Sequence, residues 1–225
     1  MVRVILDYFK PLLFSSAPSE HVMDSVAECV DPKVSSRMNS DLDAPFTSAE
    51  IRKAVFQMAP SKALGKDEMS ARFYQVYWEI VGEGVTAACL NFLNAEGSIT
   101  AANATLIALI PKINSSQRIA DYRPISFCNV LYKIISKVLV NRFYIMLYEI
   151  ISKAQSAFIP VCLIIDNAIL GFKCLHALRR RKKGVEGYMA LKLDMSKTYN
   201  CVEWCFVEKM IRTLGFSVTS LILNN

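Results

Sequence analysis

Residues 121–138 read Asp121–Tyr122–Arg123–Pro124–Ile125–Ser126–Phe127–Cys128–Asn129–Val130–Leu131–Tyr132–Lys133–Ile134–Ile135–Ser136–Lys137–Val138. In the second half of this stretch Leu131, Ile134, Ile135 and Val138 recur at helical spacing, and Lys133, Lys137 and Asn141 lie on the opposite stripe. Upstream, Thr105–Ile110 is a short apolar run closed by Pro111, bounded like a strand. A strand followed by an amphipathic helix with a basic outer side sets the fold class: α+β and helix-rich.

Working outward, the same periodicity finds further helices. Thr47–Ser48–Ala49–Glu50 has the form of a capping box and opens a helix with Ile51, Ala54, Val55 and Met58 on one side, ended by Pro60. Ser61–Asp67 is a polar turn, with Gly65 available where the backbone needs it. Helical stretches are expected over 69–82 and again along Val85, Ala88, Cys89 and Phe92, with Gly97 as the stop. Ile165, Ile169, Phe172 and Leu175 predict a helix running into the basic cluster Arg179–Lys183. Tyr188–Leu193 reads as a strand, and Glu203 opens a last helix with Phe206, Val207, Met210, Ile211 and Leu214 inward and Gly215 closing it. Residues 15–45, rich in Ser, Asp and Pro, read as an extended connector with one short helix around Val22–Cys29.

Composition removes several classes. The 225 residues are 53% hydrophobic and 20% charged, a globular balance that a disordered tail does not have. No uncharged apolar run approaches the ~18 residues of a membrane span. Asp7 and Lys10 interrupt what would be the apolar core of a signal peptide. The seven cysteines are odd in number and form no C-x-x-C pair, which predicts no disulfide and a reducing, intracellular setting, nucleus or cytoplasm. Cys201 and Cys205 are expected as small core-facing thiols rather than metal ligands. Net charge is +6, unevenly held: residues 1–100 carry nine Lys/Arg against thirteen Asp/Glu, and residues 101–225 carry seventeen against seven. A basic half of that size suits an anionic partner such as nucleic acid or nucleotide phosphates, or simply solvated Lys-rich helix faces.

The most pointed chemical feature is Leu191–Lys192–Leu193–Asp194–Met195–Ser196–Lys197, where an apolar strand delivers one carboxylate at its end. Mg²⁺ takes oxygen ligands from such rigid backbone, and a turn cap uses the same residue type. Four segments occur in order: Leu109–Lys112, Asp121–Lys137, Gln155–Phe158 and Lys192–Lys197. Together they closely resemble the reverse transcriptase of plant non-LTR (LINE-type) retrotransposons. The resemblance extends upstream through Phe46–Thr47, Ser61–Lys62–Ala63, Phe73–Tyr74–Gln75 and Trp78. Downstream it continues through Val202–Glu203–Trp204 and Leu214–Gly215–Phe216, so it covers nearly the whole chain.

The resemblance implies the fingers and an incomplete palm of a right-hand polymerase. Residues 1–45 would form a connector, 46–187 the fingers-type region and 188–225 the start of the palm. Asp194 falls on the first catalytic carboxylate, binding Mg²⁺ together with the backbone carbonyl of Met195. Tyr199 falls on the aromatic that meets the sugar of the incoming dNTP. Lys112 and Arg123 would hold the triphosphate, with Arg123 able to bind in bidentate fashion. Gln155 lies near the template or nascent pair. Lys133, Lys137 and Arg142 would track a template backbone, or serve as a solvated helix face. Arg179–Lys183 resembles an RNA-binding or nuclear-import patch, Asp166–Asn167 a helix start, and His176 receives no role.

Departures from the family pattern shape the functional expectation. The family's Lys-Ala-Pro-Gly-Pro-Asp-Gly stands here as Lys62–Ala63–Leu64–Gly65–Lys66–Asp67–Glu68, which predicts a looser turn. Its Pro-Gly-Arg stands as Pro160–Val161–Cys162, and its Ala-Tyr-Asp as Thr198–Tyr199–Asn200. No Asp-Asp pair occurs in the 225 residues. The expectation is therefore a truncated piece of an RNA-directed DNA polymerase, acting in the family on RNA template, DNA primer and dNTP. It would be inactive alone, and supply of the missing palm and thumb in trans is an open alternative. The competing readings are a nucleic-acid-binding fragment and a decayed element without function.

Overall fold

The structure is a computed structural model that describes residues 2–94, 102–152, 155, 163–180, 189–191, 193 and 201–217. In chain order these hold α1 (Val2–Leu13), α2 (Glu20–Ala27), α3 (Ser36–Asp43), α4 (Ser48–Gln57), α5 (Ala71–Val76) and α6 (Trp78–Leu93). Next come β1 (Leu106–Pro111), a 3-10 turn (Ile119–Asp121) and β2 (Tyr122–Phe127). The long α7 (Val130–Ile150), α8 (Ile164–Arg180) and α9 (Trp204–Thr213) complete the order. The architecture is helix-rich with one small antiparallel sheet, β1 against β2.

Three helices make the core. Ile51, Ala54 and Val55 of α4 meet Val85, Cys89 and Leu93 of α6 and Val130, Ile134, Ile135 and Val138 of α7, all buried. The α7 stripe Ile134–Ile135–Val138 is the one its spacing predicts. The capping box at α4 also forms: Thr47 Oγ1 accepts from the Glu50 amide at 3.3 Å, and Glu50 accepts from the Thr47 amide at 2.9 Å. At the other end of α4, the Gln75 side-chain amide donates to the carbonyls of Val55 and Met58 at 2.8 and 2.9 Å. The Val55 carbonyl also accepts from the Met58 amide at 3.2 Å, and the Met58 carbonyl gains its partner from this side chain of α5. Cys89 is fully enclosed, and burial pushes its thiol up to about 12.

Several elements depart from expectation. The break between the second and third core-region helices falls at Tyr77, not after residue 82. Gly82 lies inside α6, where a Cβ would come within 2.7 Å of the Trp78 indole. This glycine admits a ring rather than ending a helix. Ala88, expected inward, is exposed, and Leu93 takes the inward position. Residues 15–45 contain two helices rather than one, and α1 precedes them. α2 matches the expected short helix, while α1 runs through Pro11 and α3 is almost wholly polar, which hides both from a pattern of apolar spacing. Met189–Leu191 and Leu193, expected in a strand, pair with no other strand among the described residues, and Met189, Leu191 and Leu193 are exposed. Cys201 and Cys205 are exposed and free, not core-facing. No helix among the described residues is long and apolar enough to cross a membrane.

Residues 16–39 are fastened to residues 203–217. α2 packs on α9. Ser16 donates to Glu203 Oε1 through both its amide and its hydroxyl at 2.7 Å. Asp24 pairs with Lys209. The amides of Lys33 and Val34 both donate to the Leu214 carbonyl at 3.0 Å. Asn39 bridges to Gly215 and Ser217 at 2.8 and 2.9 Å. α9 ends as its sequence predicts: Gly215 takes φ +94°, and the amides of Gly215 and Phe216 close back on Arg212 and Ile211, a Schellman motif. That turn delivers the Phe216 ring to Phe143 of α7, centroids 5.3 Å apart.

Candidate functional site

The β1–β2 hairpin positions the two cations expected at a triphosphate. Its register pairs Ile110 with Arg123 and Pro111 with Tyr122. Lys112 continues the ladder, its amide donating to the Asp121 carbonyl at 2.7 Å. Side chains alternate along a strand, so Lys112, two residues beyond Ile110, emerges on the same face as Arg123. The Lys112 ammonium donates to the Ala120 carbonyl at 2.6 Å, which holds it over the turn and leaves two N–H donors outward. Arg123 is exposed and makes no hydrogen bond or ion pair among the described residues. The hairpin therefore presents one tethered and one free cation on a single face.

The handover from β2 to α7 is fixed by the loop 61–70. Asn129, buried, accepts from the Asp67 amide at 3.3 Å, and Asp67 accepts from the Val130 amide at 3.4 Å. The second of these reciprocal bonds satisfies one amide of the first turn of α7 from outside it. Gly65 lies so close that a Cβ would sit 2.6 Å from the Asn129 amide nitrogen and Cα. Lys133 adds a bond from its ammonium to the Ala63 carbonyl at 2.8 Å. The turn expected to be looser is thus held at Ala63, Gly65 and Asp67, without the family's prolines. The cost appears at Glu68, a non-glycine residue at φ +55°.

Arg142 requires a correction. It was expected to track a nucleic-acid backbone, but its guanidinium is engaged at all five N–H positions within the fold. Nε and Nη2 grip Glu50 at 2.7 and 3.0 Å, Nη1 donates to the carbonyls of Leu42 and Ala44, and Nη2 also to that of Pro45. The guanidinium carbon stacks 3.7 Å from the centre of the Phe46 ring. No donor remains for a phosphate. The Arg142 side-chain bond holds the Glu50 carboxyl below its ordinary value against the opposing effect of burial. A signal for this existed: Arg142 lies four residues after Val138, on the core stripe of α7 rather than on the Lys133–Lys137 stripe.

Other expected residues are placed as follows. Lys137 is half-buried and makes no hydrogen bond or ion pair among the described residues. Gln155 is exposed, its amide donating to the Ser152 carbonyl. Asp166 accepts from the Leu163 amide at 3.0 Å, the bond of a helix start. Arg179, Arg180 and His176 are exposed on α8, with residues 181–183 outside the described residues. Asp194, Met195 and Tyr199 also lie outside them. No three His, Cys, Asp or Glu side chains come together among the described residues, so these supply no donor set for a two-ion Mg²⁺ site.

A helix-rich scaffold carrying a basic hairpin is the class that fold and site define. Within that class, residues 110–224 match the family model described as reverse transcriptase (RNA-dependent DNA polymerase). The chain belongs to this family. It is also 28% identical over 209 residues to the transposon TX1 uncharacterized 149 kDa protein of Xenopus laevis. That alignment covers 92% of this chain and 15% of the relative, so the chain spans a small part of the relative's length.

Proposed function

We propose that this chain forms the nucleotide- and template-holding part of a reverse transcriptase of a LINE-type retrotransposon. The reaction joins the α-phosphate of a dNTP to a primer 3′-hydroxyl opposite an RNA template, with pyrophosphate leaving. In this reading Lys112 and Arg123 hold the triphosphate, Tyr199 lies against the sugar, and Asp194 with the Met195 carbonyl contributes the first metal ligands. Mg²⁺ in such chemistry neutralises charge on the phosphates. The observation that carries the reading is the hairpin register, which supports a shared role for Lys112 and Arg123 on one face.

Binding of a fluorescent dNTP to the full chain tests the hairpin. Each of Arg123→Ala and Lys112→Ala is expected to weaken it about tenfold or more, the usual worth of a charge-assisted bond. Unchanged affinity in both variants overturns the assignment. One carboxylate and one carbonyl do not hold two ions, so these 225 residues by themselves are expected to give no processive primer extension. Extension that is abolished by Asp194→Ala would sink that expectation.

A further inference from the structure

The outer stripe of α7 does not end with its lysines. Lys133, Lys137, Val140, Tyr144 and Tyr148 follow at intervals of four, three, four and four residues. At 3.6 residues per turn they share an arc of about 80° and run for about 22 Å of helix. Tyr144 is 48% exposed, Tyr148 65% and Val140 51%. Neither tyrosine forms a hydrogen bond or ring contact among the described residues, which leaves both rings open to a partner. The core of α7 faces the other way, through Ile134, Ile135, Val138 and Arg142. Lys133 uses one of its three N–H donors on the Ala63 carbonyl and keeps two. Lys137 is free among the described residues.

We infer that this stripe is a binding platform for single-stranded nucleic acid, in which bases stack on Tyr144 and Tyr148 and the adjoining phosphates meet Lys133 and Lys137. Charge complementarity selects this occupant. The stripe carries two cations and no carboxylate, and aromatic rings beside cations are the chemistry that grips a strand without reading its sequence. Arg142, which the family resemblance groups with these lysines, is replaced in this role by the two rings. The inference rests on the nucleic-acid reading proposed above and adds to it a site and a mode of contact.

The test is fluorescence anisotropy of the full chain with labelled single-stranded oligonucleotides, one oligo-rU and one oligo-dT, over a range of salt. For either strand, Tyr144→Ala and Tyr148→Ala are each expected to weaken binding roughly 5- to 150-fold, the span for one lost stacking partner. The salt slope should stay unchanged in both. Tyr144→Phe and Tyr148→Phe should bind like the parent, since the ring and not the hydroxyl stacks. Lys137→Ala should lower the slope by about 0.7. Parental affinity in the double tyrosine-to-alanine variant overturns the platform alone, leaving the nucleic-acid reading to Lys112 and Arg123. An unaltered chain that binds neither strand at low salt overturns both. A double variant whose sedimentation changes while its oligonucleotide affinity does not marks the stripe as a protein interface and also overturns the platform.

Discussion

Gly65 and Glu68 stand three residues apart in one docked loop and carry opposite consequences. At Gly65 the constraint is space: a Cβ 2.6 Å from the Asn129 backbone must displace backbone, not a flexible side-chain tip. Gly65→Ala is expected to destabilise by about 1–3 kcal/mol. At Glu68 the constraint is the left-handed conformation, φ +55°, which costs an L residue roughly 1–2 kcal/mol relative to its preferred regions. The resembling family carries glycine at that position. Glu68→Gly should therefore stabilise, by about 1 kcal/mol after the added unfolded-state freedom of glycine is set against the relief. Urea unfolding checks both: the midpoint should fall for the first and rise for the second, with slopes unchanged. Reversed shifts would sink this account of the loop. Little of it was legible in sequence. The polar turn and its glycine could be seen, but the reason for the glycine depends on Asn129, more than sixty positions away. The Asp67–Asn129 exchange has no local pattern at all. Arg142 was more accessible, because its register with Val138 marks it as inward before any contact is known.

Among the elements, those whose apolar residues alone form the stripe were legible. α4, α7 and α9 stand where spacing, a capping box and a terminal glycine put them. α8 also forms as expected, yet its Ile165, Ile169, Phe172 and Leu175 are exposed, because periodicity reports a face and not what covers it. The β1–β2 hairpin is a separate case. It contributes no residue to the buried core, and Leu106, Ile107, Ile110 and Ile125 are exposed. A two-stranded ladder of this kind is marginal by itself, and Pro124 removes one of its donors. Local opening should therefore occur at far lower free energy here than in α4 or α7. Amide exchange on the full chain is expected to be complete along 106–111 and 122–127 while the amides of Val55, Ile134 and Val138 remain protected. Equal protection in hairpin and core would show that the hairpin is buttressed in a way its exposure does not reveal. The same weakness matters for function, since the hairpin carries Lys112 and Arg123 and would gain order from an anion bridging them.

At the scale of the molecule, the chain closes on itself through contacts that sequence could not reveal. Residues 16–43 fasten 203–217 by bonds spanning 174 to 187 positions for Ser16–Glu203, Lys209–Asp24, Asn39–Gly215, Asn39–Ser217 and Asp43–Ser217. Among these contacts Asp24–Lys209 is the ion pair, and the others are hydrogen bonds to neutral groups. Most of these groups are exposed, which makes the fastening weaker than the apolar core and open to titration. Glu203 is its most sensitive member. The hydroxyls of Ser15 and Ser16 and the Ser16 amide hold its carboxyl below the ordinary value of 4.5. A carboxylate depressed in the folded state contributes stability above its unfolded pKa and loses it as pH falls through the folded value. The hold on α9 should thus be intact at neutral pH and loosen below 4.5. The Glu50 carboxyl is also held below 4.5 and its protonation weakens the Arg142 cluster, so bulk unfolding does not separate the two. Amide exchange by segment does. In the parent, protection of 204–216 should decline with acid, and Glu203→Gln should start lower at neutral pH and lose most of that decline. The same variant should leave the acid response of α4 and α7 as it was. Protection of α9 that falls with acid as steeply in Glu203→Gln as in the parent would show that Glu203 does not carry the acid loosening of α9.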